Sequence, residues 1–128
     1  MSTSQEDGGN RFMGRTKQVE DPVMKALRIK VSGLKRNIKD LEFAKKEVVS
    51  ETTRLETIKQ NDPDRVQQQK NVLEEARMMV PHSENRVRTA IKDVKDFLNE
   101  GDLSNKDDAL VQSAHEALQA AELALSQA

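Results

Sequence analysis

The sequence predicts an all-α fold, an elongated antiparallel three-helix bundle in which two long helices form a hairpin and the third helix is shorter. The first observation is composition: 34% of the 128 residues are charged and only 2% are aromatic. Three Phe with no Trp or Tyr cannot fill an ordinary globular core, whereas long amphipathic helices bury aliphatic stripes and leave a wide charged surface in water. The second is periodicity, because apolar residues recur at alternating spacings of three and four.

The N-terminal stretch differs from the rest of the chain. Residues 1–20 are polar and rich in Gly and Ser, with scattered apolar residues. Such a segment cannot bury enough surface to offset the entropy lost on ordering. We therefore predict a disordered tail over 1–20 and a three-helix bundle domain over 21–128.

The first helix is predicted over 22–60. Asp21 followed by Pro22 marks its start, since an Asp N-cap and a proline at the first helical position are both favoured. Eight of its ten core-facing positions are apolar, which is typical of helix pairing. These positions are Met24, Leu27, Val31, Leu34, Ile38, Leu41, Lys45, Val48, Thr52 and Leu55.

The second helix is predicted over 63–99. Asp62 and Pro63 repeat the start signal after a short turn, and Gly101 gives the stop. Because the connection is only about four residues, the two long helices are expected to be antiparallel neighbours. The core-facing positions are Val66, Gln69, Leu73, Ala76, Val80, Ser83, Val87, Ala90, Val94 and Phe97, widened by Val72, Met79, Ile91 and Leu98.

The third helix is predicted over 106–126, with Ser104 and Asp107 spaced like a capping box. Its core-facing positions are Leu110, Ala114, Ala117, Ala121 and Ala124, flanked by Leu118 and Leu125. At about 30 Å it covers only part of the hairpin. We expect it to end near residues 78–82 and to leave residues 46–77 as two helices alone.

Two residues of the second helix are unusual. Pro81 lies in its interior, where proline removes a backbone hydrogen bond at a cost of about 3 kcal/mol, so a kink is predicted there. Met78 falls on an outward-facing position where a thioether has no intramolecular role. We interpret Met78 as a partner-binding residue.

No catalytic, cofactor-binding or metal site is predicted. The chain has no Cys, and His82 and His115 lack neighbours at metal-ligand spacing. The paired acidic residues on the helices diverge, as solvated faces do. No apolar run approaches the roughly 20 residues that span a bilayer, and a secretory signal is missing. We therefore expect a non-enzymatic cytoplasmic protein that does not bind a membrane.

One stretch of the second helix has a specific resemblance. Residues 75–81, Glu-Ala-Arg-Met-Met-Val-Pro, with Phe-Leu-Asn-Glu at 97–100, resemble the central helix of the tubulin folding cofactor A family. Residues 21–39 resemble the start of that family's first helix, although Ser32, Gly33, Asn37 and the alanine-rich third helix depart from it. The resemblance spans 21 to about 125.

The resemblance implies a three-helix bundle that binds β-tubulin after its release from the chaperonin. Such a protein holds folding intermediates on the route to the αβ-tubulin heterodimer, with no nucleotide, metal or covalent step. It implies a cytoplasmic, cytoskeleton-associated chaperone that meets other tubulin folding cofactors indirectly. Monomer and homodimer both remain open.

A contact face on the first helix follows from the heptad positions. Ile29, Arg36 and Phe43 share one line opposite the predicted core, with a shallow gap at Gly33. Apolar anchors beside basic residues suit an acidic partner such as tubulin. The basic residues beside this line are Arg28, Lys35 and Lys39.

Two other functions remain open from the residues alone. Heptads by themselves signal helix association, so a generic coiled-coil scaffold or adaptor is the stronger alternative. Residues 23–39 carry six basic side chains and no acidic one, which would suit weak nucleic-acid binding. We predict no nucleic-acid binding, because the chain is slightly acidic overall and has no nucleic-acid motif.

Overall fold

The computed structural model describes residues 21–100 and 107–127. Two long helices, α1 (Pro22–Asn61) and α2 (Val66–Glu100), are joined through a short 3-10 turn (Pro63–Arg65), and a shorter helix α3 (Asp108–Ser126) follows. Over these two ranges the chain contains no strand, which confirms the all-α prediction. Within the same ranges, no helix is long and apolar enough to cross a membrane. The predicted tail, residues 1–20, lies outside the described residues.

Acidic side chains precede all three helices but do not cap them equally. The Asp21 carboxylate accepts a hydrogen bond of 3.3 Å from the Met24 amide, as predicted for an N-cap. Asp62 was predicted to cap the second helix, but its side chain makes no capping bond. Asp107 is itself the N-cap of α3, accepting from Ala109 N and Leu110 N, whereas the capping box had placed it inside the helix. Ser104 lies outside the described residues.

The main hydrophobic core lies where all three helices meet. It combines the first half of α1, the second half of α2 and the alanine side of α3, and Leu27, Leu34, Leu41, Val87 and Val94 are fully buried. Small alanines on α3 let its backbone approach the hairpin closely. The complete cluster is Met24, Leu27, Val31, Leu34, Ile38, Leu41, Val87, Ile91, Val94, Ala114, Ala117, Leu118, Ala121 and Ala124.

Polar contacts attach α3 to the hairpin at both of its ends. At its start the Asp107 amide donates to the Met24 sulfur at 3.2 Å. At its end Lys45 Nζ donates to the carbonyl oxygens of Ala124 and Gln127 at 2.7 and 2.6 Å. The last carbonyls of a helix lack intrahelical partners and carry partial negative charge, so an ammonium group stabilises them. Helix α3 therefore ends level with Lys45 of α1.

Beyond Lys45 the hairpin consists of α1 and α2 alone, and the core stripe of α1 departs there from the predicted register before returning to it at Leu55. On α2, Gln69 and Leu73 are buried as predicted. The core-facing positions run Ile38, Leu41, Ala44, two consecutive spacings of three, so the stripe shifts by one residue. Glu51 is therefore buried, whereas Thr52, predicted to face the core, is exposed. Leu55 and Leu73 are 7% and 4% exposed and supply the apolar contact at this end.

The segment around Pro81 is helical throughout. Pro81 is exposed and lies inside α2, which continues from Val66 to Glu100. Met78 faces outward as predicted, with 54% of its surface exposed. Met79 had been placed at the edge of the core stripe, but it is 47% exposed. The reason is that α2 turns Val80 and Ser83, not Met79, toward the interior.

Candidate partner-binding surface

The predicted contact line on α1 is an exposed face of the molecule. Ile29 is 56% exposed and Phe43 is 64% exposed, although both are large and apolar. Arg36 lies between them and is also exposed. We call Ile29, Arg36 and Phe43 the outer line of α1. Residues seven apart on an α-helix lie nearly above one another, which is why these three share a direction.

Basic side chains border this line on the side nearer α3. Arg28 and Lys39 are exposed, and Lys35 is exposed while its Nζ donates to the Ser113 hydroxyl on α3 at 3.2 Å. Lys30, at the opposite edge of the basic stretch, lies with its Nζ 5.8 Å from the centre of the Phe97 ring. The six basic residues between 23 and 39 therefore do not form one uniform patch, because Lys30 and Lys35 have partners within the bundle.

Gly33 leaves open space on the surface of α1. A Cβ atom added there would meet no other atom within 4 Å. A methyl group at this position would therefore meet no clash, and the shallow gap between Ile29 and Arg36 stays a prediction.

A second feature, the hairpin groove, lies between α1 and α2 on the side away from α3. Its volume is about 580 Å³. Lys45 contacts α3, whereas Glu47 lines the groove. Residues two apart on an α-helix point in nearly opposite directions, so the groove and α3 lie on opposite sides of α1. The remaining lining residues are Asp40, Phe43, Ala44, Glu51, Val72, Glu75, Ala76, Met79, Ser83 and Arg86.

The groove has apolar walls and an acidic rim. Phe43 and Met79 are its large exposed apolar side chains, above the small Ala44 and Ala76. Because two alanines face each other where larger residues would close the hairpin, the helices leave a cleft between them. Four of the eleven lining residues are acidic and Arg86 is basic.

The structure brings only some of the sequence-predicted residues together. Phe43 belongs both to the outer line and to the groove, so the two features are continuous. Met78 is outside the groove lining, and its neighbour Met79 is inside it. The heptad argument missed Met79 as a surface residue because it assigned Met79 to the core. It missed Ala44 because it assigned the neighbouring Lys45 to the core-facing position. The signal in the sequence that could have placed Ala44 in the core is the pair of three-residue spacings from Ile38 through Leu41 to Ala44.

The described residues provide no metal-binding cluster. Among them, no group of three or more His, Cys, Asp or Glu could hold a metal ion. His82 and His115 are both exposed and lie on different helices.

Comparison with protein families gives a match over most of the bundle. Residues 22–118 match the family model described as Tubulin binding cofactor A. This range contains α1, α2 and the first part of α3, and therefore the outer line and the groove.

Solved structures of similar sequence have the same architecture. The chain is similar to the crystal structure of recombinant tubulin-binding cofactor A from Leishmania major, with 50% identity and a TM-score of 0.79, covering 84% of this chain and all of that one. It is also similar to tubulin folding cofactor A from Arabidopsis thaliana, with 33% identity and a TM-score of 0.71, covering 79% of this chain and 96% of that one.

Curated relatives extend the similarity to plants and animals. Tubulin-folding cofactor A of Arabidopsis thaliana is 41% identical over 76 residues, which is 58% of this chain and 67% of the relative. Tubulin-specific chaperone A of Homo sapiens is 29% identical over 91 residues, which is 69% of this chain and 84% of the relative.

Proposed function

The chain belongs to the tubulin binding cofactor A family, and from that premise we propose that it is a chaperone that captures and holds β-tubulin folding intermediates on the route to the αβ-tubulin heterodimer. The observation that carries the proposal is the family match over residues 22–118, because it includes the complete hairpin. The relatives similar in sequence are named for tubulin.

The outer line of α1 supports this function through its chemistry. Protein interfaces draw most of their energy from a few large anchors, and Ile29 and Phe43 are two apolar side chains that are more than half exposed. Arg36 and Lys39 lie beside them and are exposed to solvent. Basic groups next to apolar anchors favour an acidic partner, since complementary charge raises the association rate.

The shape of the bundle suits holding a partner without covalent chemistry. Helix α1 has 40 residues, so it is about 60 Å long. A rod of this length offers a continuous surface to a folding intermediate. The proposal therefore includes no cofactor, metal, membrane or nucleic acid, and it places the protein in the cytoplasm in association with the cytoskeleton. The working unit is a monomer or a homodimer, and other tubulin folding cofactors are met indirectly through tubulin.

The proposal is tested by passing β-tubulin and α-tubulin, each released from the chaperonin, separately over the immobilised chain without nucleotide. Retention of β-tubulin but not α-tubulin is the expected result. Equal retention of both would overturn the β-tubulin specificity. Retention of neither, with RNA binding that falls steeply with salt, would indicate a nucleic-acid-binding protein instead.

A further inference from the structure

The hairpin groove is an apolar cleft with an acidic border, and Phe43 is the one residue of the outer line of α1 that lines it. We propose that residues 11–17 of the same chain, Arg-Phe-Met-Gly-Arg-Thr-Lys, dock in this groove. This segment lies outside the described residues. The proposal rests on three properties of the groove and the segment: charge, apolar anchors and reach.

The charges of the groove and the segment are complementary. Asp40 and Glu75 are exposed on the rim and Glu47 is half-buried beside them, with Arg86 as the basic residue of the lining. The fourth acidic residue, Glu51, already accepts hydrogen bonds from Gln69. Residues 11–17 contain Arg11, Arg15 and Lys17 and no acidic residue. The exposed carboxylates of the rim are not paired within the groove lining. Arg11 is the basic residue that comes next to the rim when Phe12 reaches the groove, and Arg15 and Lys17 follow on the side of Asp21.

The apolar anchors match as well. Phe12 and Met13 are adjacent in sequence and have basic residues on either side. The groove presents Phe43 and Met79, which are 64% and 47% exposed. Contact between these side chains removes apolar surface of both from water, and Met sulfur packs favourably on aromatic rings.

The length of chain before α1 is sufficient. Eight residues lie between Phe12 and Asp21, and the nine residue-to-residue steps from one to the other span about 30 Å when fully extended. From Asp21 to Asp40, at the near end of the groove, the distance along α1 is about 28 Å. Phe12 and Met13 therefore reach the near end of the groove when the chain runs along the hairpin.

A shallow polar depression lies on that path. It has a volume of about 330 Å³, shares Arg86 with the groove, and is lined by Asn37, Asn85, Thr89, Ala90 and Asp93. Asn37 is nearer to the start of α1 than Asp40 is, so the depression lies between Asp21 and the groove. Its amide and hydroxyl side chains can pair with the backbone of an extended segment, and Asp93 adds an acidic group for Arg15.

Linkage to the chain favours this occupant over a separate molecule. A segment tethered next to its site has a high effective concentration, so a modest intrinsic affinity is enough. An acidic partner is disfavoured by the carboxylates of the rim.

The docking is tested in the full chain by paramagnetic broadening of methyl signals. Because the sequence contains no Cys, Asn10→Cys provides one attachment point for a nitroxide, and the Met79 methyl group reports on the groove. Docking predicts strong broadening of Met79 and little of Leu123, which is exposed on α3 at the opposite side of the hairpin. Reversal of the rim by Glu47→Lys and Glu75→Lys should lower the ratio of docked to undocked chains by about tenfold and restore the Met79 signal.

Two further samples complete the design. Glu42→Lys changes one exposed acidic residue of α1 outside the groove and should leave the broadening intact. Phe12→Ser with Met13→Ser changes no residue of the bundle and should abolish it. The inference is overturned if Met79 is not broadened, or if broadening survives both the rim reversal and the loss of Phe12 and Met13. It is also overturned if the broadening arises only between mixed labelled and unlabelled chains, since the occupant is then a second copy.

Discussion

Gln69 of α2 donates a hydrogen bond of 2.8 Å from Nε2 to Glu51 Oε1 of α1, and the same nitrogen lies 3.1 Å from the Glu51 carbonyl oxygen. Both residues are buried, with 6% and 8% of their surface exposed. Because a buried polar pair is satisfied in one register only, this pair fixes how the two long helices align beyond the end of α3.

Removing one member of this pair should destabilise the protein. Gln69→Ala leaves the Glu51 carboxylate buried with Arg54 Nη1 at 3.5 Å, so we expect a loss of about 1–3 kcal/mol in the free energy of unfolding. Urea denaturation measures it. Gln67→Ala is the control, because Gln67 is exposed and bonds to Asn71 on its own helix. Replacing both Gln69 and Glu51 by Leu should recover most of the loss, and a double variant as unstable as the sum of the singles would contradict this explanation.

Lys45 should stabilise the docking of α3. Lys45→Met removes two hydrogen bonds to the final carbonyls of α3, and we expect about 1–2 kcal/mol of destabilisation. Hydrogen exchange of amides in the last turn of α3 should become faster. Lys46→Met serves as the control, because Lys46 is exposed. Equal exchange in both variants would mean that the ammonium group does not hold the helix end.

Pro81 should lower the stability of α2. Pro81→Ala supplies an amide donor for the carbonyl of Arg77 at an exposed position, so the free energy of unfolding should rise, by up to about 3 kcal/mol. Thermal denaturation tests this, with His82→Ala as the exposed neighbouring control. A lower melting temperature would contradict it. If the substitution leaves tubulin affinity unchanged, any bend at Pro81 has no part in binding.

The basic border of the outer line should control the association rate. Arg36→Glu with Lys39→Glu reverses two exposed charges, and association with β-tubulin should slow by about tenfold at low salt. Lys35 is left unchanged because it bonds to Ser113. The effect should shrink as ionic strength rises. Arg65→Glu with Lys70→Glu, both exposed at the far end of the hairpin, makes the same net change and should have little effect.

The periodicity of the sequence is sufficient to predict the three helices and the alanine stripe of α3. It works best in the three-helix core, where every core-facing position from Met24 to Leu41 is apolar and buried. It fails on α1 between Ala44 and Thr52, because the heptad pattern of one helix cannot reveal which polar residue finds a partner on the other helix; Leu55 is again buried as predicted. Glu51 is buried because Gln69 faces it, and that pairing depends on the register of the hairpin.

The candidate surface also has one part that the sequence predicts, the outer line of α1, and one part that it does not, the hairpin groove. Ile29, Arg36 and Phe43 could be placed from helical geometry alone, since an exposed face needs only the direction of the core. The groove could not be placed, because it depends on Ala44 of α1 lying opposite Ala76 of α2. Two small residues in separate helices form a cleft only when the register between the helices is known.

The most direct test of the account is the dissociation constant of the β-tubulin complex for Ile29→Glu and Phe43→Glu, with Val49→Glu as the matched control. Val49 is 66% exposed on the same helix but lies away from the outer line. Ile29→Glu and Phe43→Glu should each weaken binding by about thirtyfold, the loss of one interface anchor, while the helical spectrum and melting temperature stay nearly unchanged. Val49→Glu should bind as the original chain does. Equal affinity for all four proteins would contradict the assignment of the outer line of α1 as the tubulin-binding surface.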